Sequence, residues 1–200
     1  MRAIGWITAL AVAVACAAYG DVAPAGGAVD AVRDTLAKAR AVVLTDQTHE
    51  QKLDALHDLA RHLMDTRAMG RRAIGPRLAE QPEAKQEEFL KLFDELIVRS
   101  YLQKLLFFRQ PRFAFGKEET GQDAVIVHTR IVTDKDEFFV DYEMHQRDGV
   151  WVASDIVVEN ISLAQNYARQ FQELLRTRSF DELLELMRSK VAGLRAKSDS

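Results

Sequence analysis

Apolar residues recur at steps of three and four along the chain that follows its N-terminal apolar run. This spacing places them on one face of an α-helix. It predicts two successive amphipathic helices, whose stripes are Val29, Val32, Leu36, Ala39 and Val43, then Leu53, Leu56, Leu59 or Ala60, and Leu63. A third, short helix is predicted over 66–74. Gly75-Pro76 ends it, because Gly suits a left-handed cap and Pro cannot continue a helix.

A longer helix is predicted to begin near Pro82, a residue that suits the first helical turn. Three glutamates lie near its N-terminus, where the helix dipole favours anions: Glu83, Glu87 and Glu88. Its apolar side is wide. One face carries Phe89, Phe93, Leu96, Ser100 and Lys104, and the apolar side is widened by Leu92, Tyr101 and Leu105.

The pattern then changes to a period of two, which is typical of half-buried β-strands. Phe113 and Phe115 alternate with Ala114 in the first strand. The apolar faces of the next three strands are predicted as Val125, Val127, Thr129 and Ile131; Phe138, Val140, Tyr142 and Met144; and Val150, Val152, Ser154, Ile156 and Val158. Arg147-Asp148-Gly149 predicts a tight hairpin between the last two strands.

Two capped helices close the chain. Ser162 with Gln165 and Ser179 with Glu182 both fit the capping-box spacing. No linker rich in Pro, Gly or Ser divides the helix–strand–helix order. We therefore predict one α+β domain, in which about four antiparallel strands are covered by N-terminal and C-terminal helices.

The first residues resemble a secretory signal. Arg2 gives a positive start, 4–18 are almost wholly apolar, and Ala23-Pro24-Ala25 fits the small-x-small cleavage pattern. We predict a signal peptide over 1–25 and a single mature domain over 26–200. Cleavage after Ala15-Cys16-Ala17, an uncleaved N-terminal anchor, and lipidation of Cys16 in a degenerate lipoprotein box are the alternatives.

The net charge, the cysteine count and the histidine spacing argue against several classes of binding site. The formal charge of -3, without a Lys/Arg stripe, argues against a nucleic-acid partner. Cys16 is the only cysteine, so removal of 1–25 leaves no disulfide, thiolate metal site or cysteine nucleophile. His57 and His62 are five residues apart and do not share a helix face as metal ligands would. We expect no metal and no cofactor.

One set of polar residues could carry chemistry. Asp141, Glu143 and His145 lie on one face of a predicted strand, where a carboxylate could pair with a histidine for acid–base catalysis. Each alternates with an apolar neighbour, which favours a solvated outer face instead. The catalytic alternative is an enzyme that uses His145 or His128 with a carboxylate in a pocket.

Two stretches carry a family resemblance. The first is Asp65-Thr66-Arg67-Ala68-Met69-Gly70-Arg71-Arg72-Ala73-Ile74-Gly75, followed by the helix with Phe89, Phe93, Leu96 and Tyr101. The second is Gly149-Val150-Trp151-Val152-Ala153-Ser154-Asp155-Ile156-Val157-Val158-Glu159-Asn160-Ile161-Ser162-Leu163, followed by Asn166-Tyr167 and Phe171. Together they resemble the MlaC, or toluene-tolerance, family of periplasmic lipid-binding proteins, including its hopanoid-associated HpnM branch.

The sequence departs from that pattern at two positions. Asn160 stands where the family usually has Gly, although Asn tolerates a left-handed backbone nearly as well. Ala168 stands where the family usually has Arg, with Arg169 next to it. A role of that Arg toward a partner or headgroup would be performed differently in this chain.

The resemblance implies a twisted antiparallel sheet wrapped by helices, of the nuclear-transport-factor-like or cystatin-like kind. It also implies a monomeric carrier, not an enzyme, that shuttles phospholipid or a related lipid, hopanoid included. Its partners would be an inner-membrane ABC transporter complex and an outer-membrane lipoprotein complex.

We expect the acyl tails to lie between sheet and helices. The predicted lining is Phe89, Phe93, Leu96, Val125, Val127, Val140, Tyr142 and Met144. Apolar stripes of this kind also occur in ordinary cores. The pattern therefore leaves open whether the space between the layers is hollow or filled, and a filled interior would favour a lipid-free interaction module.

Overall fold

The computed structural model describes residues 27–106, 110–121 and 123–198. In these ranges the elements are α1 (Ala28–Val43), α2 (His49–Leu63), α3 (Thr66–Ile74), a 3-10 turn (Gly75–Leu78), α4 (Glu83–Leu106), β1 (Arg112–Thr120), β2 (Val125–Val132), β3 (Glu137–Arg147), β4 (Val150–Val158), β5 (Ile161–Ser162), α5 (Leu163–Leu174) and α6 (Phe180–Ser198). The predicted α+β class is confirmed. The predicted signal peptide over 1–25 lies outside the described residues.

The strands form one antiparallel sheet in the order β1-β2-β3-β4-β5. Four of them are the predicted strands, and the two-residue β5 is an addition. The predicted hairpin between β3 and β4 is confirmed: Asp148 and Gly149 adopt φ values of 53° and 78°. Two consecutive left-handed residues match the twist of the flanking strands.

A β-bulge in β4 corrects one predicted face. Glu143 lies opposite Asp155, but Met144 lies opposite Ala153, so Ser154 is an extra residue in the pairing. The predicted inner face of β4 is therefore wrong on the N-terminal side of the bulge. Ile156 and Val158 share the inner face with Tyr142 and Val140, as predicted, whereas Trp151 and Ala153 take that face in place of Val150 and Val152. A pattern of period two carries no signal for the extra residue.

The helices lie in two groups. The hairpin of α1 and α2 packs over the inner face of the sheet, and α1 touches β1 to β4. The other group is built around α4, which packs on α3 and α6, while α3 also packs on α5. Gly70 allows the close approach of α3 to α4, because a Cβ there would lie 3.0 Å from side-chain carbons of Leu90 and Phe93.

The turn from β4 into α5 is held by the fully buried Asp155. Its carboxylate accepts hydrogen bonds from the backbone N–H of Ile156 at 2.8 Å and of Ala164 at 3.1 Å, and from the Ser162 hydroxyl. Asn160 has φ 62°, the left-handed conformation that this residue tolerates. The predicted cap of α5 is confirmed, since the Ser162 Oγ accepts from the N–H of Gln165 at 3.0 Å.

Candidate functional site

An apolar cavity of about 350 Å³ lies between the helices and the inner face of the sheet. Its walls come from α1, α2 and α4 on one side and from β1 to β4 and the start of α5 on the other. The lining residues are Thr35, Leu36, Ala39, Leu56, Leu59, Ala60, Leu63, Met64, Ile97, Val98, Tyr101, Leu102, Leu105, Phe113, Ile131, Phe138, Val140, Tyr142, Ile156, Val158 and Leu163. The space between the layers is therefore hollow, which the sequence pattern left open.

Among the described residues, no Asp, Glu, Lys, Arg or His lines the cavity. The Thr35 hydroxyl is used locally, donating to the carbonyl of Ala31 at 2.9 Å. Tyr142 is buried, and burial raises the pKa of its phenol, although a hydrogen bond with Thr129 opposes the change. The described part of the wall is thus uncharged at neutral pH and offers an apolar surface.

The helices form their part of the wall through the stripes that the sequence shows. Leu36 and Ala39 of α1 lie one turn apart, and Leu56, Ala60 and Leu63 repeat the same spacing on α2. Each stripe belongs to a helix with a polar opposite face, so both helices must turn these residues inward. The α1–α2 hairpin is therefore one wall of the cavity.

The two halves of helix α4 have different apolar neighbours. Its first half packs into an aromatic cluster, which we define as Phe89, Phe93, Tyr167, Phe171 and Phe180. Its second half contributes to the cavity through Ile97, Val98, Tyr101, Leu102 and Leu105. The wide apolar side seen in the sequence thus serves a packed core at one end and a cavity wall at the other.

Two of the eight predicted lining residues are on the cavity wall. Val140 and Tyr142 lie on β3 at 5% and 6% exposure, and both line the cavity. Val140 stands opposite Thr129 of β2 and Val158 of β4, so it is at the centre of the sheet.

The other six predicted residues lie elsewhere. Phe89 and Phe93 are fully buried in the aromatic cluster, with ring centroids 6.0 Å apart. Leu96, Val127 and Met144 are buried in the main core, and Val125 is half-buried against it. None of the six lines the cavity. Their predicted contact with a ligand stays a prediction, and the geometry gives them a supporting place behind the wall.

The residues of the catalytic alternative are on the opposite face of the sheet. His128 and Asp141 form a cross-strand pair with Nδ1 and Oδ1 2.8 Å apart. Glu143 bonds Arg72 at 3.0 Å, and His145 lies opposite Val152. None of these side chains lines the cavity, whereas Tyr142 does. Within the described ranges, the cavity lining includes no acid–base pair.

Sequence reasoning missed most of the wall. The α1 and α2 stripes were recognised as buried faces, but period alone does not separate a packed neighbour from a cavity. The useful signal was in α4, whose apolar residues exceed one stripe. A helix with so wide an apolar side needs more than one apolar neighbour. Here the first neighbour is the aromatic cluster and the second is the cavity.

In the described ranges, none of the helices has both the length and the apolar content needed to cross a membrane. The sequence profile of the MlaC protein family matches residues 28–189. The chain belongs to the MlaC family.

A solved structure has the same fold as this MlaC family member. It is the phospholipid-binding protein from Ralstonia solanacearum in complex with a phospholipid, with a TM-score of 0.77 and 20% identity. The alignment covers 85% of this chain and 99% of that one. No curated protein matches the chain in sequence.

The residues that suggested the MlaC family have structural duties around the cavity. Asp65 caps α3 by accepting from the N–H of Ala68 at 2.9 Å, and its other oxygen lies 2.7 Å from the Arg147 guanidinium. Asp155 holds the β4–α5 turn, as described above. Asp65 and Asp155 fix the frame of the cavity without lining it, whereas Tyr101, Ile156, Val158 and Leu163 of the same stretches are on its wall.

Proposed function

We propose that this protein is a periplasmic carrier that binds phospholipid, or a related lipid, with its acyl tails in the cavity. The observation that carries the proposal is the apolar cavity itself, enclosed between the sheet and three helices. Membership of the MlaC family and the fold shared with a phospholipid-binding protein support it.

The size of the cavity suits an acyl chain. Ligand pockets generally measure about 300–1,000 Å³, and a dry apolar cavity of about 150 Å³ already binds benzene. On that scale, a cavity of about 350 Å³ holds roughly fourteen carbon atoms. The α1–α2 wall would have to move outward to admit the second tail of a diacyl lipid.

The energy of tail burial suits a carrier. Each methylene removed from water contributes about 0.8 kcal/mol, so roughly fourteen give a gross of about 11 kcal/mol. Ordering and association costs reduce this figure. A lipid held in this way leaves slowly by itself, which is why we propose that membrane partners open the cavity. An inner-membrane ABC transporter complex and an outer-membrane lipoprotein complex are the proposed partners, and the carrier is proposed to be a monomer.

The proposal also ranks two chemical classes of lipid. A diacyl phospholipid and a hopanoid both offer apolar bulk to these walls. Flexible tails suit a cavity whose lining comes from eight different elements, since they can follow its irregular shape. We therefore place phospholipid first and hopanoid second.

The test is the lipid content of the protein. The full chain is exported in a Gram-negative host, purified without detergent, and analysed by native mass spectrometry followed by solvent extraction. We expect about one lipid per chain and a higher melting temperature for the loaded form, because a ligand that binds only the folded state stabilises it. Protein without lipid, whose melting temperature does not respond to added phospholipid or hopanoid, contradicts the proposal.

A further inference from the structure

A groove beside the cavity carries three arginines. It measures about 300 Å³ and is lined by Arg33, Leu36, Ala37, Arg40, Arg112, Phe113 and Phe115. We call these residues the cationic groove. It runs where α1 packs against the edge strand β1, and its described lining includes no Asp or Glu.

The cationic groove and the cavity share two residues. Leu36 and Phe113 line both of them, so the two spaces adjoin at these side chains. Phe113 is half-buried and Leu36 is 8% exposed. The polar end of a lipid whose apolar chain lies in the cavity is therefore within reach of the groove.

Two of the three arginines lie on one face of α1. Arg33, Leu36, Ala37 and Arg40 have the spacing i, i+3, i+4 and i+7, which is a single face of α1. Arg33 is held in place by Asp30 at 2.6 Å and lies over the Phe115 ring at 5.0 Å. The Nε of Arg40 donates to the carbonyl of Pro111 at 3.1 Å, which ties α1 to the start of β1.

Arg40 and Arg112 have no acidic partner in the part of the chain that the structure describes. Among the described residues, neither guanidinium has a carboxylate within salt-bridge distance, whereas most other arginines of the chain form ion pairs. Guanidinium groups bind phosphate through paired N–H donors, so such a pair is a favourable partner for a phosphate.

We propose that the cationic groove binds the phosphate of the lipid whose tails occupy the cavity, so that the protein selects phospholipids over lipids without a phosphate. This inference rests on the proposed function. Arg40 and Arg112 supply the charge-assisted hydrogen bonds, while Arg33 adds positive charge at the far end. Leu36 and Phe113 mark the boundary between headgroup and tails.

The experiment is a competition for the delipidated protein. Phosphatidylglycerol and diacylglycerol with identical acyl chains are offered in equal amounts, and native mass spectrometry counts each bound lipid. We expect wild type to prefer phosphatidylglycerol. In Arg40→Gln/Arg112→Gln the preference should fall by about tenfold or more, the loss expected for one charge-assisted hydrogen bond. Diacylglycerol binding should stay unchanged.

Two further variants separate the groove from general effects. Arg77→Gln removes an exposed arginine that lines neither space and has no ion pair among the described residues, so it should leave the preference unchanged. Arg112→Gln alone keeps the Arg40 bond to Pro111, and it should lose part of the preference for phosphatidylglycerol. An unchanged preference in the double variant, or an equal loss in Arg77→Gln, overturns the inference.

A soluble ligand is the other source of a phosphate. If inorganic phosphate or glycerol phosphate at millimolar concentration raises the melting temperature of the delipidated wild type through Arg40 and Arg112, the groove takes a free phosphate ester and the headgroup inference fails. Wild type that binds both lipids equally also overturns the inference, but leaves the carrier function standing. If wild type binds neither lipid, the result contradicts the proposed function itself.

Discussion

Val127 and Val140 share the inner face of neighbouring strands and are both at least 95% buried, yet only Val140 lines the cavity. Val127 stands opposite Tyr142, and Val140 stands opposite Thr129, so the two valines are diagonal neighbours. The boundary between packed core and cavity therefore runs between them.

This pair gives a matched test of the cavity. In Val140→Trp we expect the indole to enter cavity volume, so that the fold survives while lipid binding falls sharply. In Val127→Trp the same side chain enters a packed interior, and overpacking should reduce the free energy of unfolding by roughly 1–3 kcal/mol or more. Melting of the delipidated proteins, together with lipid counted by mass spectrometry, measures both effects. Val140→Trp that melts far earlier, or still carries full lipid, would show that its side chain does not face usable space.

The aromatic cluster should act as core and not as ligand surface. Phe89 has ring centroids at 5.5 Å from Phe171 and 5.9 Å from Phe180. Phe89→Ala should therefore lower the free energy of unfolding by about 3–5 kcal/mol, as measured in urea. Phe138→Ala, at a half-buried wall position, should cost less stability and reduce lipid occupancy instead. If Phe89→Ala instead cost less stability and more lipid occupancy than Phe138→Ala, Phe89 would be a ligand contact.

The carboxylate of Asp155 should be needed for the β4–α5 turn. Asp155→Asn keeps the volume but removes the negative acceptor from two backbone N–H groups and the Ser162 hydroxyl. We expect a loss of about 1.5–3 kcal/mol in the free energy of unfolding, the range for hydrogen bonds to a charged group. Asp148→Asn is the matched control: it occupies a hairpin position with φ 53°, where Asn is favoured, and should be near neutral. Equal effects from both substitutions would argue against this role.

Acid should loosen the contact between α4 and α6. The hydrogen bond from Arg188 holds the pKa of the Glu88 carboxyl below its usual range. Burial raises the pKa of Glu95, but bonds from Arg195 and Arg99 lower it by more. A carboxyl whose pKa is lowered on folding stabilises the protein above its unfolded pKa of 4.5, and this contribution is lost as the pH falls through the folded pKa.

The measurement is the melting temperature between pH 7 and pH 3 in low salt. Wild type should lose more stability over that range than Glu88→Gln/Glu95→Gln, because the variant lacks both titrating groups. At pH 7 the variant should be the less stable of the two. Glu173→Gln, which removes an exposed carboxylate of α5 paired with Arg176, serves as the control and should follow wild type. Parallel pH profiles for wild type and the double variant would show that these ion pairs do not contribute.

Export should remove the N-terminal segment. The positive Arg2, the apolar run and Ala23-Pro24-Ala25 predict that the exported protein begins at or shortly after Gly26, or near Ala18 if the earlier site is used. N-terminal sequencing of the periplasmic fraction measures this. An intact Met1 in the membrane fraction would instead support an uncleaved anchor.

The sequence by itself determined every secondary-structure element except β5 and the short 3-10 turn. Strong local signals are the reason: the helical stripes of α1 and α2, the stop at Gly75-Pro76, the Asp148-Gly149 hairpin and the caps at Ser162 and Ser179 all act within a few residues. Local chemistry of this kind is independent of how the elements later assemble.

The tertiary structure alone decided which apolar residues face the cavity. Phe93 and Leu105 both belong to the apolar side predicted for helix α4, but Phe93 packs against Phe171 and Leu105 lines the cavity. The bulge at Ser154 likewise changes which β4 residues face inward. Whether an apolar side chain meets another side chain or a hollow depends on the separation of the helices from the sheet. Side-chain volumes from eight elements set that separation together, and no single stretch of sequence contains it.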